Sequence, residues 1–476
     1  ETLKSLYSGS AEALHKAYVL IVGLALGAIV AVLRAGEGIF TFLDKFYSTT
    51  KLAIPQELPH GGFFKVNDKP IVGFGFETSV LLIAAGMIVG LRVSLSMLLG
   101  AVILYFWLGP MLISMDAPHL AEGGKEFVAG YVPSIELVGG GSAYHVFRWG
   151  LWGGTALLVL SSLTSLAFQW KTIARAFVPV KKGADGQSDR DALAAIEVPG
   201  SWMIIGMVPI TIAMLFIQVV AFDISWWAGL IAIAMSFVLS LVACRATGET
   251  DTTPIGAMGK VMQLLFAVLK PGQVVPNLAS AGIAANAASS SADLLTDLKI
   301  GYLLGANPRR QFLAQFFGVF FGTLAIVPIW YLMIPNRQVL EEEFAAPATQ
   351  TWVKVAQVLT KGIDSLPDSA KIAILVGAAV GVMLPLIERF VVPVKYRKYM
   401  PSAAGLGLSF MLPFANALSF TIGAIIAALW SRWHKRSCEM FNVPLASGLV
   451  AGESLIAAAI AMLSTADGLF GWGMKP

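Results

Sequence analysis

Charged side chains are scarce. Asp, Glu, Lys and Arg make up 13% of the 476 residues, against 57% hydrophobic residues. A soluble domain carries about a quarter charged residues, so this composition, with a mean hydropathy of +0.74, excludes an ordinary soluble globule. Cysteine is almost missing: Cys244 and Cys438 lie far apart, which excludes a disulfide framework and a thiolate metal site. The five histidines, His15, His60, His119, His145 and His434, are scattered near expected helix ends, so no histidine cluster is expected to cage a metal. The net charge of +4 sits in short connections between apolar runs, a distribution that does not suggest nucleic acid. The first residues, ETLKSLYSGSAEALHKAY, offer neither a start methionine nor a signal-peptide pattern and read like the middle of a longer chain.

What the chain has instead is apolar length. Runs of about 20 residues, enough to cross a bilayer, recur along it. Spans are expected at 15–34, 71–90, 92–115, 146–169, 200–219, 225–244, 255–270, 277–297, 311–334, 371–394, 401–430 and 443–464. The fold class is therefore an all-α polytopic membrane protein with about 12–13 transmembrane helices. The higher number holds if 401–430 is a hairpin turning near Pro413–Asn416. That reading also puts four basic connections on the cytoplasmic side: Lys171 to Arg190, Lys299 to Arg310, Lys395 to Lys398 and Arg432 to Arg436. The acid-rich stretch 340–368 then falls on the opposite side as a loop.

Residues 95–107, LSMLLGAVILYFW, and 418–430, LSFTIGAIIAALW, share the pattern L-S-x-x-x-G-A-x-I-x-x-x-W. Such repeats are common in secondary transporters, which hold their solute where the repeats meet. We expect two related membrane halves, 1–195 and 196–476, the first incomplete.

The polar interruptions carry the chemistry. TGETDTTPIGAMGK at 247–260 breaks two apolar runs, and Thr253-Pro254 is a helix start. Glu249 and Asp251 are expected at that break, beside the positive end of the following helix, either as site residues or as solvated acids. The GAMGK segment lacks the spacing of a phosphate-binding loop, because Pro254 and Val261 stand where that loop needs Gly and Ser/Thr. In NLASAGIAANAASSSADLLTDLKIGY, 277–302, Asn286, Ser290, Asp293 and Asp297 fall on one helical face. They line a pathway, or lie at the membrane surface on a tightly packed small-residue helix. Glu453, in GLVAGESLIAAAIAML, lies mid-span with no basic residue within a helical turn. It is expected to be buried and to exchange a proton, unless it stays protonated and bonded to a backbone carbonyl. Glu77 is expected to begin a helix at the interface, Glu388 to be structural beside Arg389, and Arg92 to mark a turn.

Thr250-Asp251, Gly259-Lys260 and the Ser-rich stretch leading into Asp293, Asp297, Lys299, Gly301, Tyr302, Pro308 and Arg309 resemble the oligopeptide transporter superfamily. The likeness is to its bacterial members and its yellow stripe-like branch, and it is specific across 246–330. The aromatic-proline motif usual in the peptide-transporting branch is not found. The resemblance implies about sixteen spans in two halves, a bacterial inner (plasma) membrane, no cofactor, and proton-coupled import of small peptides or peptide-like metal chelates. The polar interruptions and the resemblance together nominate Glu249, Asp251, Lys260, Asn286, Ser290, Asp293, Asp297, Tyr302 and Glu453 for solute or coupling ion. Partners would be the substrate, protons and lipid, with a homodimer left open. Two rivals stand beside it. An intramembrane aspartyl enzyme using Asp251 and Asp293 would lack the GxGD motif of such proteases. A passive channel would need no titratable group at the midplane.

Overall fold

The computed structural model describes residues 11–35, 54–55, 57–59, 65–66, 69–116, 137–138, 143–168, 170, 198–250, 253, 255–336, 347–362, 366 and 368–470. Among them the strand pairings are three two-residue antiparallel ladders and one isolated parallel bridge, Ile71–Tyr144; everything else regular is helical. Nine of the described helices are long and apolar enough to cross a membrane. The chain is an all-α polytopic membrane protein.

The chain falls into two compact units. The first comprises residues 1–158, 325–347 and 366–476. Its helices are α1 (Ala11–Arg34), α2 (Val80–Val89) and α3 (Leu91–Asp116, with a π-helical stretch at Ile103–Leu108). The start of α4 (Val146–Phe168) follows, then α11 (Asp368–Leu386), α12 (Ala403–Ser409), α13 (Phe414–Trp433) and α14 (Lys435–Phe470). Glycine governs how they pack. A Cβ at Gly23 or Gly27 on α1 would strike the Leu445 or Leu449 carbonyl of α14. A Cβ at Gly448 or Gly452 on α14 would strike the Leu20 or Leu24 carbonyl in return. Two G-x-x-x-G segments thus cross backbone to backbone, the membrane solution when water supplies no hydrophobic drive between helices. Gly86 on α2 and Gly423 on α13 make the same reciprocal approach, and Gly377 and Gly381 of α11 lie on the Gly153 and Leu157 carbonyls of α4.

The expected hairpin at 401–430 is present. The Ser402 N–H donates to Ser96 Oγ at 2.8 Å, and Gly100 lies against Ser409, so α12 runs alongside α3 in the same direction. Phe414 then stacks edge-on to Tyr105, and Thr421 Oγ1 donates to the Ser94 carbonyl at 3.0 Å, so α13 returns antiparallel. The two segments sharing the L-S-x-x-x-G-A pattern are parts of α3 and α13, and they pack together. The turn seats on Gly73, whose φ of +74° suits glycine and whose missing side chain leaves room for Pro413. Ile71, Phe74, Met97, Leu104, Tyr105, Leu112 and Phe414 form the buried core here.

The second unit comprises residues 159–324 and 348–365. It holds α5 (Gly200–Phe222), α6 (Trp226–Thr250), α7 (Ile255–Leu269), α8 (Val274–Leu303), the start of α9 (Pro308–Met333) and α10 (Pro347–Lys361). Its core joins α6, α7 and α8 through Leu239, Val242, Ala243, Met258, Met262, Phe266, Ala281, Ala284 and Ala288. The alanines of α8 admit this close approach.

Four expectations need correction. The segment 71–90 is helical only from Val80, because residues 71–79 turn at Gly73 and then pass through a two-residue strand that holds Glu77. Helix α8 is 30 residues long, but its Asn, Ser and Asp side chains keep it outside the nine apolar spans. The expected break at 247–254 shortens, since α6 continues through Thr250. The stretch read as the loop 340–368 contains α10, whose Trp352, Ala356 and Leu359 repeat at helical spacing, too polar elsewhere to read as a span.

Candidate functional site

Two buried polar groupings stand out, one in each unit. In the first, the α1–α14 glycine crossing fixes the end of α1 over the middle of α14. Arg34, the last residue of α1, donates through Nη1 to Glu453 Oε1 on α14 and through Nη2 to Glu77 Oε1 at 3.2 Å. Its Nε donates to Thr78 Oγ1 at 3.2 Å. Glu453 is 3% exposed and has further donors: Ser79 Oγ at 2.9 Å and the Leu81 N–H at 2.6 Å. Ser79 is also the N-cap of α2, its hydroxyl accepting from the Leu82 N–H. A carboxylate from α14 therefore sits at the positive end of α2 and completes its cap.

The expected burial of Glu453 is observed. The expected lack of a cation holds only along its own helix, because the guanidinium comes from 419 residues away. The grouping contains one guanidinium and two carboxylates, so with both acids ionised it carries one negative charge too many. Glu77, whose side chain is 31% exposed, is the more accessible acid. Arg92, expected to mark a turn, does follow the Gly90 turn at the start of α3. It also pairs with Glu388 at 2.7 Å and donates to the Met400 carbonyl, which fits the structural reading of Glu388.

The second grouping is built on α7. Lys260 is 6% exposed, and its Nζ donates to the Gly256 carbonyl at 3.2 Å; among the described residues no carboxylate lies within ion-pair distance of it. Three residues on, Gln263 is fully buried. Its Nε2 donates to Asn277 Oδ1 at 3.1 Å and to the Trp352 carbonyl at 3.0 Å, while Asn277 Nδ2 returns a bond to the Gln263 carbonyl at 2.8 Å. Both amide protons of Gln263 are thus used on acceptors, which fixes its orientation and leaves Oε1 buried with no donor. Gly259 matters for shape. A Cβ there would stand 2.7 Å from the Trp352 ring, so the glycine lets α10 close over α7.

The remaining nominated residues are distributed as follows. Asn286, Ser290, Asp293 and Asp297 do share a face of α8, and that face is exposed, opposite the buried Ala281, Ala285, Ala288 and Ala292. Asp297 is held by Gln315 Nε2 at 2.9 Å, and Gln311 Nε2 donates to its backbone carbonyl at 2.6 Å. Asn307 Oδ1 caps α9 at the Arg309 N–H, ahead of Pro308. The motif from Asp293 to Arg309 is therefore a tied helix–turn–helix. Tyr302 is 47% exposed, near Lys299. Glu249 belongs to the last turn of α6, and its side chain lies outside the described residues, as does Asp251 altogether. Sequence reading missed Arg34, Gln263 and Asn277; an uncharged amide inside each of two expected spans was the available signal for the last two. Among the described residues no group of three or more His, Cys, Asp or Glu could hold a metal ion.

Comparison with known proteins decides the family. The model of the OPT oligopeptide transporter protein family matches residues 2–464. The chain belongs to that family. A Saccharomyces cerevisiae protein bearing an oligopeptide-transporter name is 32% identical over 242 residues, which is 48% of this chain and 32% of its own. The iron-phytosiderophore transporter yellow stripe 1 of Zea mays is 24% identical over 80% of this chain and 57% of its own. The iron-phytosiderophore transporter YSL15 of Oryza sativa is 25% identical over 80% of this chain and 58% of its own. The chain thus spans less than two thirds of each relative's length. The family and these relatives are named as transporters, not as enzymes.

Proposed function

We propose that this OPT-family protein is a proton-coupled importer of small oligopeptides or peptide-like metal chelates, in the plasma membrane. The relatives named for iron-phytosiderophore transport support the chelate class, and the family description supports the peptide class. The observation that carries proton coupling is the Arg34–Glu77–Glu453 grouping, where two carboxylates share one guanidinium inside an apolar bundle. Ionisable groups kept in a membrane at several kcal/mol each mark proton relays and ion pathways. One proton bound by either acid neutralises the grouping, and its release restores the charge. In this reading Glu453 holds Arg34 and the α2 cap while Glu77 exchanges with water.

The polar face of α8, Asn286, Ser290, Asp293 and Asp297, lines the solute path together with Tyr302, Lys260 and the break after Glu249 and Asp251. The two related halves divide near residue 195, as the sequence pattern suggests.

The test is solute-evoked proton movement. Purified protein in liposomes loaded with a pH-sensitive dye should acidify the lumen when tripeptide or nickel–nicotianamine is added outside, without an imposed gradient. Solute entry with no change in luminal pH contradicts the coupling.

A further inference from the structure

Among the described residues Lys260 has no counter-ion, in a place where charge is costly. It is 6% exposed, it has one hydrogen bond, to the Gly256 carbonyl, and an ammonium has three protons to give. A buried charge of this kind is paired or coordinating in most folded proteins. Around Gly256 the described residues leave room: a Cβ there would meet only the Lys260 amine, at 3.5 Å. One turn along the same face, Gln263 Oε1 is a fully buried acceptor with no donor, while the other end of its amide is fixed by Asn277 and Trp352. A spare donor charge and a spare acceptor therefore stand three residues apart on α7, with Cβ atoms about 5–6 Å from one another. The N-terminal turn of α7 adds positive potential at the Gly256 end.

We infer that this face of α7 is a solute subsite that binds the carboxylate of an amino-acid unit on Lys260 and its N–H on Gln263 Oε1. The inference rests on the proposed solute class. It names the part that peptides and aminocarboxylate chelates have in common, a carboxylate beside an N–H. Lys260 and Gln263 contribute opposite halves of the recognition, so a ligand lacking either group loses one anchor. The missing side chain of Gly256 leaves the space beside the Lys260 amine open among the described residues, and that of Gly259 admits the Trp352 ring.

The test is equilibrium binding to the purified full chain in nanodiscs, using trialanine, trialanine C-terminal amide and nickel–nicotianamine. Wild type should prefer the free acid over the amide by about tenfold or more, as a charge-assisted hydrogen bond predicts. Lys260→Met should abolish that preference and leave the amide's affinity unchanged, while Lys260→Arg should retain it. Gly256→Leu, whose Cβ would meet only the lysine amine among the described residues, should melt like wild type yet bind neither trialanine nor the chelate. The peptide and chelate arms identify which source supplies the carboxylate. A Lys260→Met protein that still prefers the free acid overturns the subsite, as does one that loses acid and amide alike. Absence of binding by any of the three probes to wild type also overturns it. If proton movement driven by some other solute survives that result, the transport reading stands without the subsite.

Discussion

Arg34 and Glu453 are 419 positions apart in the chain and joined by a guanidinium–carboxylate hydrogen bond, beside the point where two G-x-x-x-G segments cross. The glycines set the distance and the polar groups use it. Without side chains at Gly27 and Gly452, α1 and α14 lie close enough for the end of one to cap the carboxylate of the other.

The two acids should separate on substitution. Glu77→Gln keeps the Glu453–Arg34 bond and removes the accessible titrating group, so solute binding should persist while gradient-driven uptake falls by about tenfold or more. Glu453→Gln should also cut gradient-driven uptake more than solute exchange, and should lower stability because Arg34 and the α2 cap lose their anion. Normal pH dependence of uptake in both variants would make the grouping purely structural.

Removing the cation should be costlier. Arg34→Met leaves Glu453 with only the Ser79 hydroxyl and the Leu81 N–H, and stranding a buried charge costs about 3–5 kcal/mol. Thermal melting in detergent should fall clearly, and Glu453→Gln added to Arg34→Met should recover part of the loss. A melting temperature equal to wild type would show that the ion pair holds nothing in place.

Crossing glycines admit no side chain. Gly27→Leu places atoms on the Leu449 carbonyl and the Glu453 N–H, so α1 and α14 must separate. We expect loss of monodisperse protein on size exclusion. Gly206→Leu, with nothing within 4 Å of its Cβ position, should behave as wild type.

In the second unit, Asn277→Leu removes an acceptor and a donor from the fully buried Gln263 and should cost about 1–3 kcal/mol. Asn277→Leu with Gln263→Met should be milder than the single change, since both halves of the pair then become apolar. A double variant worse than either single would argue that the amides bind something beyond each other.

Much of this architecture is legible in the sequence. Apolar run length predicts most of the spans, though not 71–90, 255–270 or 277–297, the 3.6-residue period predicts the shared face of Asn286, Ser290, Asp293 and Asp297, and Pro413 marks the hairpin. The Gly259-Lys260 pair lies on α7, the helix that also carries the buried Gln263. Long-range pairing is not legible: nothing near Glu453 announces Arg34, because the partner lies 419 residues away on the first described helix. Helix α10 was hidden by its acidic flank and moderate hydropathy. Gln263 and Asn277 looked like isolated polar residues in apolar runs, and only their facing positions on α7 and α8 make them a pair.

The most direct measurement is concentrative uptake into proteoliposomes under an imposed pH gradient, alkaline inside, with tripeptide and nickel–nicotianamine as solutes. The account predicts that at least one solute accumulates above its outside concentration, that a protonophore abolishes the accumulation, and that Glu77→Gln reduces uptake to equilibration. Equilibration alone in the wild type, unaffected by gradient or protonophore, would contradict it and leave a passive pathway.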